Sequence, residues 1–398
     1  MLLEDRNDLR RFLMTKISEI WIDADKCMRC GNCLASCPVL TTAGFSAFPG
    51  PRNVMGEAPR PFEEIDATRD LFHLCTTCGH CREVCPSGIN TPQAMSLLRE
   101  AVAKKGYEDF YIQAAAKSSM KFKNPYTKAQ IERCEWSKGF QFSKTSNILF
   151  YAGCTYSFNY PEVLKSTIDI LQRADIEVQY LQEKEECCGI MLYDGGYLEE
   201  FQAQVKTNIK RFEEVGIDLL VTPCPGCYGM IKREYSKFDD YNFRVQHFTE
   251  FLIELINQGK LKLKDYNATV TWHDPCHLSR KMRIFDEPRQ IIESIPGLTF
   301  KEMPNTKYDS FCCGAGGAVL ASRADVSIKL AKRRVSEAVN IGANIILTMC
   351  PACESILEKA IRYLAWEDMD DEDEEDFDLS DSRVKLMDLS TLISQCIA

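Results

Sequence analysis

Cysteine spacing constrains this chain more than any other feature of its sequence. Eight of its 20 cysteines stand in two runs, "CMRCGNCLASCPV" and "CTTCGHCREVCPSGI", that share the pattern C-x2-C-x2-C-x3-C-P. Such spacing wraps three thiolates around one [4Fe-4S] cluster, and the fourth cysteine reaches the neighbouring cluster in ferredoxins that carry two. We therefore predict two cubane clusters, one held by Cys27, Cys30, Cys33 and Cys85, and the other by Cys75, Cys78, Cys81 and Cys37.

Two other uses of clustered cysteines fit less well. Zinc is typically bound by two C-x2-C pairs rather than by a run that ends in Cys-Pro. A disulfide framework is typical of small secreted domains, whereas this chain has 398 residues, a net charge of −10 and an N-terminus without the apolar core of a signal peptide. The negative charge argues against a nucleic-acid partner, and no apolar stretch approaches the ~20 residues of a membrane span. We expect a cytoplasmic protein that reaches the membrane only through a partner.

The rest of the chain contains an internal repeat of two copies. The segment "NILFYAGC" matches "ATVTWHDPC", each copy has a Cys-Cys-Gly, and "GIDLLVTPCPGC" matches "GANIILTMCPAC", at offsets of 122 to 126 residues. In the first copy "ILFYAG", "IEVQYL" and "DLLVTPC" are typical of strands, whereas "PEVLKSTIDILQRA" and "LEEFQAQVKTNIKRFEEV" have helical periodicity. Alternating strands and helices predict a parallel sheet. Ligands of such sheets lie at the carboxyl ends of the strands, which is where the cysteines fall.

Each copy carries five cysteines, one more than a cubane cluster or a zinc ion uses. The first set is Cys154, Cys187, Cys188, Cys224 and Cys227, and the second is Cys276, Cys312, Cys313, Cys350 and Cys353. Cys134 and Cys396 remain, and we interpret both as ordinary thiols.

These patterns predict an α+β multidomain protein. We expect a mostly helical ferredoxin domain over 1–116, a basic linker over 117–145, and two α/β domains over 146–265 and 266–398, related by a pseudo-twofold axis. The acidic run 366–382 is predicted to be a loop insertion in the second of these domains. It is either a solvated loop or a docking patch for a basic partner.

Two ferredoxin-type runs followed by two such Cys-Cys-Gly (CCG) domains resemble the D subunits of heterodisulfide reductase. The resemblance implies that each five-cysteine set binds a noncubane [4Fe-4S] cluster. It implies a catalytic subunit that cleaves a small disulfide of the coenzyme M and coenzyme B type with two electrons, donated through a membrane cytochrome b or a flavoprotein. The wider family includes iron-sulfur subunits of glycolate, lactate and glycerol-3-phosphate oxidation. A non-catalytic electron-transfer subunit is therefore the alternative.

Two histidines lie next to a cysteine of the second CCG domain, in "HDPCH". His277 is a candidate proton donor or hydrogen-bond partner for a thiolate, and His273 is a second candidate. The alternative is that both only cap the loop and donate hydrogen bonds to cluster sulfurs.

Overall fold

The computed structural model describes residues 25–57, 72–106, 109–367 and 382–398. The N-terminal part is helical, and the rest forms two α/β units with parallel sheets, which confirms the predicted fold class. Of the acidic run 366–382, residues 366 and 367 end a helix and residues 368–381 lie outside the described part of the chain.

The N-terminal part is built from helices joined by loops. They are α1 (Asn32–Ala35), α2 (Pro38–Ala43), α3 (Pro51–Glu57), α4 (His80–Glu83), α5 (Thr91–Lys104), α6 (Phe110–Phe122) and α7 (Gln130–Arg133). The two long helices begin at side-chain caps. Asn90 accepts a hydrogen bond from the backbone N–H of Gln93, and Asp109 accepts from the backbone N–H groups of residues 111 and 112.

The segment 117–145, predicted to be a linker, packs closely on the first repeat. Trp136 is 3% exposed, and its ring contacts Phe150 and Tyr180 of that repeat. Arg133 and Glu185 form a fully buried ion pair at 2.8 Å. The segment therefore contributes to the core of the first repeat as well as connecting two parts of the chain.

The first repeat contains the strands β1 (Ile148–Phe150), β2 (Leu219–Thr222) and β3 (Arg244–His247), all parallel and in that spatial order. Its helices are α8 (Cys154–Asn159), α9 (Pro161–Arg173), α10 (Ile190–Gly195), α11 (Leu198–Glu214), α12 (Pro225–Gly229) and α13 (Phe248–Asn257). The predicted strand "IEVQYL" does not form. The structure has instead a single β-bridge, between Gln179 and Leu149. Gln179 makes both of its backbone hydrogen bonds with β1, whereas the carbonyl of Val178 accepts one from the N–H of Ser143, outside the sheet.

The second repeat has the same topology with a complete edge strand. Its strands are β4 (Ala268–Trp272), β5 (Leu298–Phe300), β6 (Ile345–Thr348) and β7 (Lys385–Asp388), in the order β5-β4-β6-β7 and all parallel. Its helices are α14 (Ser279–Met282), α15 (Asp286–Glu293), α16 (Val319–Ser322), α17 (Ala324–Asn340), α18 (Pro351–Glu367) and α19 (Leu389–Cys396). The central strands β2 and β6 are buried throughout, as strands covered by helices on both faces require.

The two repeats share one hydrophobic core. Helix α9 of the first repeat packs on α19 of the second, where Ser394 Oγ donates a hydrogen bond to Asp169 at 2.8 Å. The helical N-terminal part packs on both repeats. It contacts α10 of the first repeat, where Arg99 donates a hydrogen bond to the carbonyl of Asp194 at 2.9 Å, and α17 of the second, which places Val326 and Leu330 in its core. None of the helices in the described ranges is both long enough and apolar enough to cross a bilayer.

Candidate metal centres

Both N-terminal cysteine runs fold into the same local structure. One residue between the first two cysteines has a positive φ, 56° at Arg29 and 51° at Thr77. The glycine after the second cysteine, Gly31 or Gly79, is left-handed and precedes a short helix. Left-handed residues fold the backbone back on itself, and in the second run the N–H of Thr77 donates to Cys75 Sγ at 3.4 Å.

The structure brings together Cys27, Cys30, Cys33 and Cys85. Burial raises the pKa of Cys33, and the charges of Cys27, Cys85 and Cys30 raise it further. The fourth cysteine of the second run therefore lies among the cysteines of the first. Cys30 is exposed, so this set lies at the surface.

The second set joins Cys37 to the second run. Burial raises the pKa of Cys81 well above its usual value, and the charges of Cys78, Cys75 and Cys37 add to the shift. Cys37 and Cys78 are each 7% exposed. This set is therefore more enclosed than the first.

The gathered thiols suit iron-sulfur clusters. All 20 cysteines are free, so no disulfide competes for the sulfurs. Burial and the charges of neighbouring cysteines raise the pKa values of Cys33, Cys37, Cys75 and Cys81, which makes their thiolates costly in the absence of a cation. A bound cation removes this penalty and deprotonates its ligands. The donor sets are therefore of the kind that iron in a cluster requires.

The first repeat brings its five cysteines together near the carboxyl ends of β1 and β2. Cys154 Sγ and Cys187 Sγ lie 3.8 Å apart. Hydrogen bonds from Cys187 and Cys227 lower the pKa of Cys188 to about 6. Hydrogen bonds to Cys188 and Cys224 raise the pKa of Cys227 well above its usual value. Each cysteine thus contacts at least one other, as ligands of a single compact centre do.

The second repeat forms the equivalent set. Cys313 Sγ and Cys353 Sγ lie 3.2 Å apart. A hydrogen bond from Cys312 lowers the pKa of Cys276. A hydrogen bond with Cys353 lowers the pKa of Cys350, but burial and the charge of Cys224 from the first repeat raise it above its usual value.

The regions of the two five-cysteine sets meet at the interface of the repeats. Tyr156, two residues after Cys154, donates a hydrogen bond to Glu354, the residue after Cys353, at 3.0 Å. Cys224 and Cys350 are both among the charged neighbours of the buried Tyr156 hydroxyl. Each of these cysteines opens a C-x2-C motif at the start of the helix that follows a central strand.

His277 lies beside Lys281, with His277 Nε2 2.8 Å from Lys281 Nζ. Burial, together with the positive charges of Lys281 and Arg233, holds the pKa of His277 well below its usual range. The imidazole is therefore neutral at physiological pH and accepts a hydrogen bond from the ammonium group. Lys281 was not identified from the sequence, because an i, i+4 relation brings two side chains together only where the segment turns as a helix.

His273 lies beside two cysteines of the second set. Its ring nitrogen and the sulfurs of Cys313 and Cys353 all lie within 4.8 Å of one another. The two histidines that the sequence places around Cys276 therefore have different surroundings.

The second set also contacts the helical N-terminal part. Cys78, Cys276 and Cys312 form one buried cluster, and Cys312 Sγ lies 3.5 Å from Thr76 Oγ1. Arg280, buried between them, donates from Nε to the carbonyl of Cys78 at 2.9 Å. Arg280 was also not identified from the sequence, since its partner Cys78 is 202 residues away in the chain.

Two glycines of "CCGAGGAV" make this contact possible. A Cβ atom on Gly316 would lie 2.4 Å from the carbonyl oxygen of Thr76, and one on Gly317 would lie 2.2 Å from that of Cys75. The CCG loop of the second repeat thus packs with its backbone directly on the second cysteine run.

The two remaining cysteines lie apart from these sets. Cys134 Sγ donates to the carbonyl of Ile131 at 3.2 Å, and Cys396 is a fully buried core residue. Neither has another cysteine among the groups that shift its pKa.

Comparison with known proteins identifies these parts. A 4Fe-4S dicluster domain matches residues 23–89, and a cysteine-rich domain matches twice, at 148–232 and 270–358. The D subunit of the dihydromethanophenazine:CoB-CoM heterodisulfide reductase of Methanosarcina mazei is 33% identical over 359 residues, 84% of this chain and 88% of the relative. The B subunit of the fumarate reductase (CoM/CoB) of Methanothermobacter marburgensis is 30% identical, covering 82% of this chain and 66% of the relative. The EtfAB:quinone oxidoreductase of Syntrophomonas wolfei is 26% identical, covering 86% of this chain and 56% of the relative.

A helical dicluster domain ahead of two cysteine-rich domains defines an iron-sulfur oxidoreductase subunit. Within that class the chain belongs to the family of heterodisulfide reductase D subunits, which confirms the resemblance seen in the sequence.

Proposed function

We propose that this chain catalyses the two-electron reductive cleavage of a disulfide between its two repeats. The observation that carries the proposal is the contact between the regions of the two five-cysteine sets, where Tyr156, two residues after Cys154, donates a hydrogen bond to Glu354, the residue after Cys353, at 3.0 Å. Two electron-donating centres at one interface suit the cleavage of one S–S bond, because each new thiolate needs one electron. The heterodisulfide named in several relatives supports the same reaction class.

We propose that each five-cysteine set holds a noncubane [4Fe-4S] cluster and each N-terminal set a cubane. The clusters, when bound, supply the electrons. The first noncubane ligands are Cys154, Cys187, Cys188, Cys224 and Cys227, and the second are Cys276, Cys312, Cys313, Cys350 and Cys353. Five gathered sulfurs, one more than a cubane takes, are the support for this assignment.

The order of the sets suggests a path for the electrons. The first N-terminal set lies at the surface through Cys30, where a donor protein has access. The second N-terminal set contacts the second repeat, where Cys78 lies in one buried cluster with Cys276 and Cys312. We propose that electrons enter at the first set, pass through the second, and reach the repeats on the side of the second repeat.

Lys281 and His277 are the proposed source of one of the two protons that the reaction needs. Reduction of one disulfide by two electrons gives two thiolates, and two protons convert them to thiols. The Lys281 ammonium donates a hydrogen bond to His277 Nε2 at 2.8 Å and gives up one of these protons, and the other comes from solvent. We propose that His277 holds this ammonium in position near the cysteines.

For the substrate we propose a small mixed disulfide of the coenzyme M and coenzyme B type, as the name of the Methanosarcina relative indicates for that protein. The proposed electron donor is a membrane cytochrome b or a flavoprotein.

Anaerobically purified protein tests the proposal. We expect about sixteen irons per chain if four four-iron clusters are present, and consumption of the mixed disulfide by reduced viologen with release of two thiols. Cys224→Ala and Cys350→Ala should each abolish this activity, and Cys134→Ala should not. Full iron loading without any disulfide reduction would contradict the proposed catalysis.

A second candidate function is electron transfer without catalysis. It is favoured by relatives named as a quinone oxidoreductase and as one chain of a fumarate reductase. This alternative predicts that the loaded protein passes electrons to a soluble quinone but leaves disulfides intact.

A further inference from the structure

His273 and its counterpart in the first repeat differ in chemistry. His273 stands three residues before Cys276, and Tyr151 stands three residues before Cys154. Both side chains are buried, with 1% and 0% exposure. The repeat therefore places a histidine beside one five-cysteine set and a tyrosine beside the other.

Arg334 decides which nitrogen of His273 carries the proton. Arg334 Nε lies 3.1 Å from His273 Nδ1, and an arginine Nε–H can only donate. Nδ1 is therefore the acceptor, and in the neutral ring the proton resides on Nε2.

The Nε2–H group is buried and makes no hydrogen bond within the described residues. A ring nitrogen of His273 and the sulfurs of Cys313 and Cys353 lie within 4.8 Å of one another. Since Nδ1 is occupied by Arg334, these sulfurs are the acceptors that the structure offers to Nε2–H. Direct binding of Nε2 to a metal would require its lone pair, and hence a proton on Nδ1, which would then face the N–H of Arg334.

We propose that His273 is a hydrogen-bond donor to the sulfurs of the second CCG centre, positioned by Arg334, and that this donor makes the two CCG centres unequal in reduction potential. The proposal rests on the proposed loading of both repeats with iron-sulfur clusters. Donors to cluster sulfur stabilise the added negative charge of the reduced state, so they raise the potential.

Tyr151 provides no such donor in the first repeat. Its hydroxyl donates to the backbone carbonyl of Glu186 at 2.5 Å, so its single proton is already used. The second centre is therefore the one with the higher potential. It is also the centre that contacts Cys78 of the second N-terminal set. Electrons from the second N-terminal set therefore reduce the CCG centre of the second repeat first.

Redox titration of the loaded full chain, followed by electron paramagnetic resonance, tests the proposal. We expect two separate potentials for the two CCG centres. His273→Phe should lower the higher potential, Arg334→Met should lower it less, and His273→Gln, which keeps a side-chain N–H, should restore part of the shift. Tyr151→Phe is the matched control at the equivalent position and should change neither potential.

Electron-nuclear double resonance on protein labelled with ¹⁵N-histidine gives an independent readout. A hydrogen bond predicts weak nitrogen coupling and an exchangeable proton, whereas a strong nitrogen coupling would mean direct iron ligation and would overturn the proposal. Unchanged potentials in His273→Phe at full iron content would overturn it as well. An iron content of about eight in the unmodified protein would instead refute the loading of the repeats. If His273→Phe loses iron, the potentials of Arg334→Met and His273→Gln test the proposal instead, and unchanged potentials in both variants would overturn it.

Discussion

The hydroxyl of Tyr156 in the first repeat lies 2.8 Å from Asp388 Oδ2 in the second. It also lies 3.0 Å from Glu354 Oε1, and all three side chains are buried. Burial raises the pKa of Glu354 well above its usual value, and the charge of Asp388 raises it further. Burial also raises the pKa of Asp388. From these directions and the Tyr156 hydroxyl between the two carboxyl groups, we predict that they share a proton at neutral pH, next to the C-x2-C motif of the second repeat.

We predict that this shared proton is visible by infrared spectroscopy at pH 7. The C=O band of a protonated carboxylic acid should disappear in Glu354→Gln and persist in Tyr156→Phe. Glu358→Gln, one helical turn further on and paired with Arg362 at 2.7 Å, is the control and should not change the band. Absence of the band from the unmodified protein at pH 7 would contradict a shared proton.

The same proton makes stability depend on pH. The pKa values of the folded pair are raised, so the folded protein keeps a proton that the unfolded chain loses. The contribution of the pair to the free energy of unfolding is therefore greatest below the unfolded pKa of about 4 and falls as pH rises through the folded pKa. We expect anaerobic denaturation to show this decline, and Glu354→Gln to weaken it.

Crossed ligation of the cubane clusters predicts a specific pattern of iron loss. If Cys27 and Cys85 hold one cluster, the double variant Cys27→Ala/Cys85→Ala should lose about four irons of sixteen, like either single variant. If Cys75 belongs to the other cluster, Cys75→Ala/Cys85→Ala should lose about eight. Iron analysis of anaerobically loaded protein separates these outcomes, with Cys134→Ala as the control. The reverse pattern would mean that each run holds its own cluster.

Close packing at Gly317 predicts slower electron transfer in Gly317→Ala. The new methyl group would meet the carbonyl oxygen of Cys75 and push the CCG loop away from the second cysteine run. Gly216 has a similar φ, 67° against 60°, but open space around it. Both substitutions place alanine in the left-handed region at a cost of about 1 kcal/mol. Stopped-flow reduction of the CCG centres should therefore be slower in Gly317→Ala than in Gly216→Ala, and equal rates would argue against this contact as the route.

The buried ion pair of Arg133 and Glu185 anchors the segment 117–145 on the first repeat. Arg133→Met leaves a buried carboxylate without its cation, which we expect to destabilise the protein by about 3–5 kcal/mol. Arg173→Met, which breaks the partly exposed pair with Asp169, should cost less than about 1 kcal/mol. Denaturant unfolding under anaerobic conditions measures both. Equal effects would mean that segment 117–145 contributes little to the stability of the repeat.

The sequence predicted the elements well where the signal was local. Helices at Pro161–Arg173 and Leu198–Glu214 follow from periodicity within each segment. The extent of strand in "IEVQYL" was overestimated, because strand propensity does not determine how many residues of a segment pair with a neighbouring strand. The segment 117–145 was predicted to be a linker. Its packing could not be predicted from the segment itself, because Trp136 and Arg133 are buried by residues of the neighbouring repeat.

For the centres themselves, the sequence alone determined the cysteines, their division into two runs and two repeated sets, and the family. It did so because ligand spacing and internal repetition are properties of the chain as written. Only the tertiary structure decided which groups surround the sulfurs: Arg280 against Cys78, Lys281 against His277, and Arg334 behind His273. Hydrogen bonds, burial and charge depend on distances in space, and folding brings together residues that lie 202 to 236 positions apart in the chain.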